Sequence, residues 1–211
     1  AALERGGPGE LGRAAREQAS LMLLLCVPAA VGLALVAAPL AQLMVGPDLA
    51  AGAAHVTPWI ALSGLLAGLT TYYFHQAFTL GQRTQLLLAA MAIPAIANLV
   101  LNLILIPRFG LDGALWATLA SYALGLAASM ALGARSLVLP IPWLPLVQTL
   151  GATIVMALAV SRVPALGGWA ELLLKASLGG LVFGAITFVL DTGALRSRGL
   201  TLLRDLKARP A

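Results

Sequence analysis

The run Asn98-Leu-Val-Leu-Asn-Leu-Ile-Leu-Ile-Pro-Arg-Phe-Gly-Leu-Asp-Gly-Ala-Leu-Trp-Ala-Thr118 decides the fold of this chain. Apolar residues dominate on both sides of a short Pro-Arg-Phe-Gly turn, and they continue outward over residues 84–107 and 111–134. A helix needs about 20 apolar residues to cross the hydrocarbon core of a membrane. Because each side of the turn reaches that length, the run predicts two membrane-spanning helices joined by a tight turn.

The composition extends this conclusion to the whole chain. Of 211 residues, 60% are hydrophobic and 10% are charged, whereas average soluble domains are about 45–50% apolar and about 25% charged. One core of this size cannot bury so much apolar side chain, which excludes a soluble domain, and the same richness excludes intrinsic disorder. Cys26 is the one cysteine, which excludes a disulfide scaffold. We therefore expect an all-α, polytopic transmembrane helix bundle.

Six apolar stretches are long enough to cross a membrane as helices. They are uniformly apolar over several turns, whereas the strands of an outer-membrane barrel alternate polar and apolar residues. The predicted spans are residues 20–45, 56–80, 84–107, 111–134, 143–161 and 169–190.

Lysine and arginine residues predict the orientation of these spans, because cytoplasmic loops carry an excess of them. If the segment before the first span is cytoplasmic, ten of the 13 basic residues fall on the cytoplasmic side, two fall on the other side, and Lys175 lies inside the last span. The ten are Arg5, Arg13, Arg16, Arg83, Arg135, Arg196, Arg198, Arg204, Lys207 and Arg209, and the two are Arg108 and Arg162. Both termini are then cytoplasmic. The charges are scattered over thin loops without base-stacking aromatic residues, which argues against nucleic acid as a partner.

The two ends of the chain lie outside the predicted spans. Residues 1–19 are polar and form a cytoplasmic lead-in, in which residues 11–18 could make a short surface helix. The chain opens with alanine and this polar segment, so we expect it to be part of a longer protein. Residues 192–211 form a basic cytoplasmic tail, in which residues 194–207 could make an amphipathic helix on the inner leaflet.

Small residues and prolines predict how the helices pack and bend. Small side chains at a spacing of four form one narrow face, along which helices approach closely in lipid. The fourth span has five of them in register and the second span has a Gly-x-x-x-Gly pair. These helix-packing residues are Gly113, Ala117, Ser121, Gly125, Ser129, Gly64 and Gly68. Pro28 and Pro94 lie inside spans, where proline frees a backbone carbonyl, and they are candidate hinges.

Polar side chains inside the spans are candidates for a transport path or for contacts between helices. Asn98 and Asn102 are one turn apart, and either line a cavity or make interhelical hydrogen bonds. Gln76 lies at the inner end of the second span, where a position at the membrane interface is the alternative. Glu171 and Lys175 are spaced to form an ion pair, as are Arg108 and Asp112 in the turn.

The sequence lacks the residue sets that enzymes and metal sites require. It contains two histidines, one cysteine and eight acidic residues, without an HExxH motif, a paired carboxylate or a Gly-rich phosphate loop. We therefore expect no enzymatic activity, no catalytic residues, no metal site and no cofactor.

The run 98–118 resembles a pattern in bacterial polysaccharide flippases, which export O-antigen and exopolysaccharide. These proteins belong to the multidrug/oligosaccharidyl-lipid/polysaccharide (MOP) superfamily. The pattern is an Asn-containing helix, then Ile-Pro-x-x-Gly-x-x-Gly-Ala, then a helix of small residues, and residues 106–114 match its centre. Residues 46–48 and 81–83 resemble loops in the C-terminal half of the family, and the resemblance covers about residues 11–134.

The resemblance implies an organisation and a function. Residues 20–134 would supply four helices of the second flippase lobe, residues 135–191 two additional helices, and a first lobe would be missing. The protein would flip a polyprenyl-pyrophosphate-linked oligosaccharide from the inner to the outer leaflet of the bacterial inner membrane. The substrate path would include Gln76, Asn98 and Asn102, with Arg83 and Arg108 meeting phosphate at the two surfaces.

Three alternatives to this function remain open from the sequence. The cargo could be lipid II for peptidoglycan, or a drug, although drug exporters often place an acidic residue inside the membrane and none of the eight acids lies deep in a span. A membrane scaffold that organises a polysaccharide-synthesis complex is an alternative of a different class. An enzyme is disfavoured by the missing acid–base or nucleophile set.

Overall fold

The computed structural model describes residues 2–194, and all regular structure in that range is helical. A π turn, Thr70–Phe74, joins α3 to α4, and a 3-10 turn, Thr192–Ala194, follows α7. The helices are α1 (Ala2–Leu35), α2 (Ala37–Met44), α3 (Pro47–Leu69), α4 (Gln76–Leu80), α5 (Thr84–Gly133), α6 (Trp143–Ser161) and α7 (Gly168–Val189). In the described range, five helical segments are long and apolar enough to cross a membrane, with α3, the π turn and α4 forming one of them.

The 50-residue helix α5 is a hairpin that supplies two of the six predicted spans. As a straight helix it would be about 75 Å long, more than twice the hydrocarbon thickness of a bilayer. Gly110 instead has φ 56° and ψ −128°, a conformation outside the helical region. Beyond it the chain folds back, so that Gly113 meets the Leu105 carbonyl and Gly125 meets the ring of Pro94. Residues 84–109 form the first leg and residues 111–133 the second, so the hairpin supplies the two helical legs that the sequence predicts.

Three contacts define two sides of the helix bundle. On one side, named the Tyr73 end, Gln18 bonds the backbone of Tyr72, and Gly81 lies against Ser136. On the other side, named the His55 end, His55 of α3 contacts Asp112, which follows the hairpin turn. Asp112 therefore contacts His55 rather than its predicted partner Arg108.

Three helix boundaries differ from the predicted spans. Helix α1 is continuous from Ala2, so no separate surface helix precedes the first span. A break at Val36 follows from Pro39, whose ring clashes with the carbonyl of Leu35 and removes an amide donor. Helix α3 begins at Pro47, nine residues before the predicted start, because Gly46 and Pro47 make a favourable helix start. The predicted tail helix, residues 194–207, lies outside the described residues apart from its first residue.

The small-residue face of the second leg is buried, as its spacing predicts. All five of its members are buried, and Ala117 and Ser129 are fully inaccessible to solvent. Gly64 and Gly68 meet no neighbour within the described part of the chain, because a Cβ atom at either position would have nothing within 4 Å, so packing through this pair stays a prediction.

Neither predicted hinge proline interrupts its helix. Pro28 lies within α1, which is assigned as one helix through that position. Pro94 packs closely against Gly125 of the second leg, and its role as a hinge stays a prediction. The interruptions lie instead at Val36, at the π turn and at Gly110.

Candidate functional site

Two adjoining cavities form a groove on the surface of the α5 hairpin, extending towards the π turn. The larger cavity is about 400 Å³ and lies between the two legs. The smaller is about 160 Å³ and lies between the hairpin and α3. Their polar lining residues are Asn98, Thr118, Ser121 and Tyr122 in the first, and Thr70, Thr71, His75 and Tyr122 in the second. We name this feature the polar groove.

Three hydroxyl groups of the polar groove are bonded to the backbone of their own helices. Thr118 donates to the carbonyl of Ala114 at 2.8 Å, Ser121 donates to Ala117 at 2.6 Å, and Thr70 donates to Leu66 at 2.8 Å. A hydroxyl that donates in this way retains two acceptor lone pairs. These three hydroxyl groups therefore present oxygen acceptors to the groove while their own donors are satisfied.

The two asparagines bond to each other along the first leg. Asn102 donates from Nδ2 to Asn98 Oδ1 at 2.9 Å. The bond lies within one helix, so the expected interhelical hydrogen bonds are not formed in the described part of the chain. An amide has two donors and one acceptor oxygen, so the pair retains hydrogen-bonding capacity. Asn98 lines the polar groove, and Asn102 lies one turn away towards the His55 end.

His75 connects the π turn to the hairpin. Its Nε2 atom lies 3.2 Å from the hydroxyl oxygen of Ser129, which is fully buried on the second leg. Its ring also meets the edge of Phe78 at 6.1 Å between centroids. His75 therefore lines the smaller cavity and also links the π turn to the second leg.

The other three predicted path residues do not line the polar groove. Gln76 donates through Nε2 to the carbonyl of Tyr72 at 2.7 Å, which gives it a local structural role. Arg83 lies exposed beyond α4 at the Tyr73 end, and Arg108 lies exposed beside the hairpin turn at the His55 end. The structure thus brings Asn98 and Asn102 together, whereas Gln76 and both arginines are absent from the groove lining.

Sequence reasoning missed Thr118 and Tyr122 as groove residues. Ala114, Thr118 and Tyr122 are spaced by four residues, which places them on one side of the second leg, and this spacing was available as a signal. Tyr122 is 40% exposed and borders both cavities. The larger side chains of this helix thus lie beside the small-residue face rather than on it.

The polar groove carries no charged side chain among its lining residues. Over the described chain, no group of three histidine, cysteine or acidic residues is placed to hold a metal ion. The groove therefore offers hydrogen bonds and an aromatic ring, which suit a neutral polar group better than an ion.

Two ion pairs lie towards the His55 end, away from the groove. The predicted pair between Lys175 and Glu171 forms at 2.6 Å, and Glu171 also accepts from the amide of Gly167 at 2.8 Å. The side chains of Lys175 and Glu171 are 15% and 6% exposed. In the second pair, His55 and Asp112 are 54% and 48% exposed. Solvent screens an exposed pair strongly, but an uncompensated charge is costly where a pair is shielded.

We expect Lys175→Met to lower the melting temperature of the detergent-solubilised protein more than Asp112→Asn does. Lys175→Met removes the partner of a shielded carboxylate, whereas Asp112→Asn removes a solvent-screened contact. Differential scanning fluorimetry measures both. The double variant Glu171→Gln with Lys175→Met should recover part of the loss, and equal effects of the two single variants would contradict the ranking.

Comparison with known proteins gives a likeness of fold. No family model matches this sequence, and no curated protein matches it. Among solved structures, the lipid II flippase MurJ in an inward closed conformation matches with a TM-score of 0.74 at 14% sequence identity. The match covers 84% of this chain and 38% of that protein. The chain therefore has the helical fold of part of a flippase, and it spans less than half the length of the protein that it resembles.

Proposed function

We propose that this chain is part of a MOP-type flippase that moves a polyprenyl-pyrophosphate-linked oligosaccharide across the bacterial inner membrane. The observation that carries the proposal is the likeness of its fold to a lipid II flippase. The resemblance of residues 98–118 to polysaccharide flippases favours the oligosaccharide as cargo. We propose that the rest of the transporter, including a first lobe, completes the path.

The polar groove gives the proposal a physical basis. A sugar chain loses its hydrogen bonds to water when it enters hydrocarbon, and each unsatisfied polar group is costly there. Asn98 and Asn102 would replace some of those bonds, and Tyr122 would pack against a sugar face. Arg83 and Arg108, at opposite ends of the bundle, would meet the pyrophosphate at the two membrane surfaces. Gln76 would act indirectly by holding the π turn.

The distribution of charge supports an orientation for the transporter. Arg13, Arg16, Arg83 and Arg135 lie towards the Tyr73 end, whereas Arg108 and Arg162 lie towards the His55 end. Positive residues are retained on the cytoplasmic side of membrane proteins. We therefore propose that the Tyr73 end faces the cytoplasm.

Lipid II is the second candidate cargo, and the matched solved structure favours it. It shares with the first candidate a large polar group joined to a lipid. A drug is less well supported, because the groove lining includes no acidic residue to bind a cation. A scaffold without transport is the remaining alternative.

Deletion or depletion of the complete gene tests the proposal. We expect surface polysaccharide to be lost while its lipid-linked precursor accumulates on the cytoplasmic leaflet, and expression of the wild-type gene should reverse both effects. Cell lysis with accumulation of lipid II would identify the second cargo. Increased drug sensitivity with normal polymer would identify an exporter. If no precursor accumulates and drug sensitivity is unchanged, the flippase proposal is wrong.

A further inference from the structure

We infer that the π turn Thr70–Phe74 is a register switch, held in the observed state by Gln18 and Gln76, through which α4 moves relative to the α5 hairpin. A π turn contains one residue more per hydrogen-bonded loop than an α turn. The amide of His75 donates to the carbonyl of Thr70 at 2.9 Å, which defines this wider loop. Conversion to an α turn would rotate α4 and shift it along its axis by about one residue.

Two side chains hold one carbonyl group of the turn. Gln18 of α1 donates to the carbonyl oxygen of Tyr72 at 3.0 Å, and Gln76 of α4 donates to the same atom at 2.7 Å. A carbonyl oxygen has two lone pairs, so the two amides fill its acceptor capacity. These bonds depend on the position of Tyr72, and therefore favour the π register over the α register.

A change of register in the π turn would also change the shape of the polar groove, because residues in and beside the turn line it. One residue of an α-helix corresponds to a rotation of about 100° and a rise of about 1.5 Å. A shift of that size would carry His75 away from Ser129, to which it is 3.2 Å distant. Thr70 and Thr71 lie in the turn and also line the polar groove. The same movement would therefore alter one wall of the groove.

The chain on either side of α4 permits this movement. Helix α4 has only five residues and ends at a short exposed loop, in which Gln82 has a φ of 54°. Tyr73 anchors the turn itself, because its hydroxyl donates to the carbonyl of Pro140 at 2.5 Å. The segment that shifts is thus short and lies between Tyr73, which is anchored to Pro140, and a loop that takes up the displacement.

Cysteine cross-linking tests the switch in the protein encoded by the complete gene. A Cβ atom at Gly133 would lie 3.4 Å from that of Ala77 on α4, close to the separation of about 3.5–4.5 Å in disulfides. The parent variant combines Cys26→Ser, Ala77→Cys and Gly133→Cys. We expect it to form the disulfide rapidly in lipid nanodiscs under mild oxidant. Adding Gln18→Leu and Gln76→Leu should slow the reaction at least fivefold, because the α register moves residue 77 off residue 133.

Gln148→Leu is the matched control for the glutamine variants. Gln148 lies on α6, is half-buried and lines neither cavity of the polar groove, so its substitution should leave the cross-linking rate unchanged. Each single glutamine variant should slow the reaction by a smaller factor. An unchanged rate in the double glutamine variant would overturn the switch, and this result requires no transport assay.

The second readout is flipping of a lipid-linked saccharide, and it rests on the proposed function. We expect the oxidised parent variant to lose at least tenfold in flipping rate and to recover after reduction, whereas each single-cysteine variant should respond to neither treatment. A cross-linked protein that flips at the reduced rate would overturn the role of the switch in transport. If the reduced protein flips no lipid, the proposed function fails, while the cross-linking rates still decide whether the turn changes register.

Discussion

Substituting Gly113 by alanine is expected to prevent closure of the α5 hairpin and to remove most of the folded protein from the membrane. A Cβ atom at this position would lie 2.3 Å from the carbonyl oxygen and 2.6 Å from the carbonyl carbon of Leu105. Both atoms belong to the backbone of the first leg, so no side-chain rotation relieves the overlap. The two legs must separate next to the turn, where Gly110 already fixes their direction.

The cost of Gly113→Ala should reach the upper range for overpacking, about 3 kcal/mol. Fluorescence-detected size-exclusion chromatography of the detergent extract measures the loss of folded protein, and thermal melting measures the remaining stability. Gly64→Ala is the matched control, because a Cβ atom there meets nothing within 4 Å. Alanine exceeds glycine in helix propensity by about 1 kcal/mol, so the control should be as stable as the wild type or more stable. Similar behaviour of the two variants would contradict the packed hairpin.

The contrast between these two glycines illustrates what the sequence predicts about the fold. Spacing of small residues identifies a smooth face, and on the second leg that face is buried against its own hairpin partner, which the tight turn places alongside it. Gly64 and Gly68 have the same spacing, but no turn in the sequence fixes a neighbour for their face. Spacing therefore predicts the face, whereas its burial depends on which helices are adjacent.

The site was less predictable than the fold for a related reason. Asn98 and Asn102 were identified because amide side chains are unusual in an apolar span. The remaining lining of the groove comes from Thr70, Thr71 and His75 on one element and from Thr118 and Tyr122 on another. Their proximity follows from the packing of α3 on α5, which no periodicity within either helix encodes. The π turn likewise has no sequence signature comparable to the proline that breaks the helix at Val36.

Replacing Asn98 and Asn102 together by leucine is expected to reduce flipping at least tenfold without loss of stability. The two amides bond each other at 2.9 Å within one helix. Removing both partners of a hydrogen bond in favour of apolar groups is close to neutral or stabilising, because no unsatisfied group remains. A loss of transport in a protein that melts at the same or a higher temperature would therefore come from the groove rather than from the fold.

The single variants distinguish a path residue from a structural one. Asn98 borders the larger cavity, whereas Asn102 lies a turn beyond it, so Asn98→Leu should account for most of the loss. The Gln148→Leu variant controls for the introduction of leucine elsewhere in the bundle. Precursor accumulation in cells and flipping in proteoliposomes measure the effect at matched expression. Normal transport by the double variant would remove both asparagines from the path, and a lowered melting temperature would assign them to helix stability. Loss of flipping with unchanged melting is the combination that requires contact between these amides and the cargo, because it separates hydrogen bonding to a passing polar group from hydrogen bonding that holds the helix.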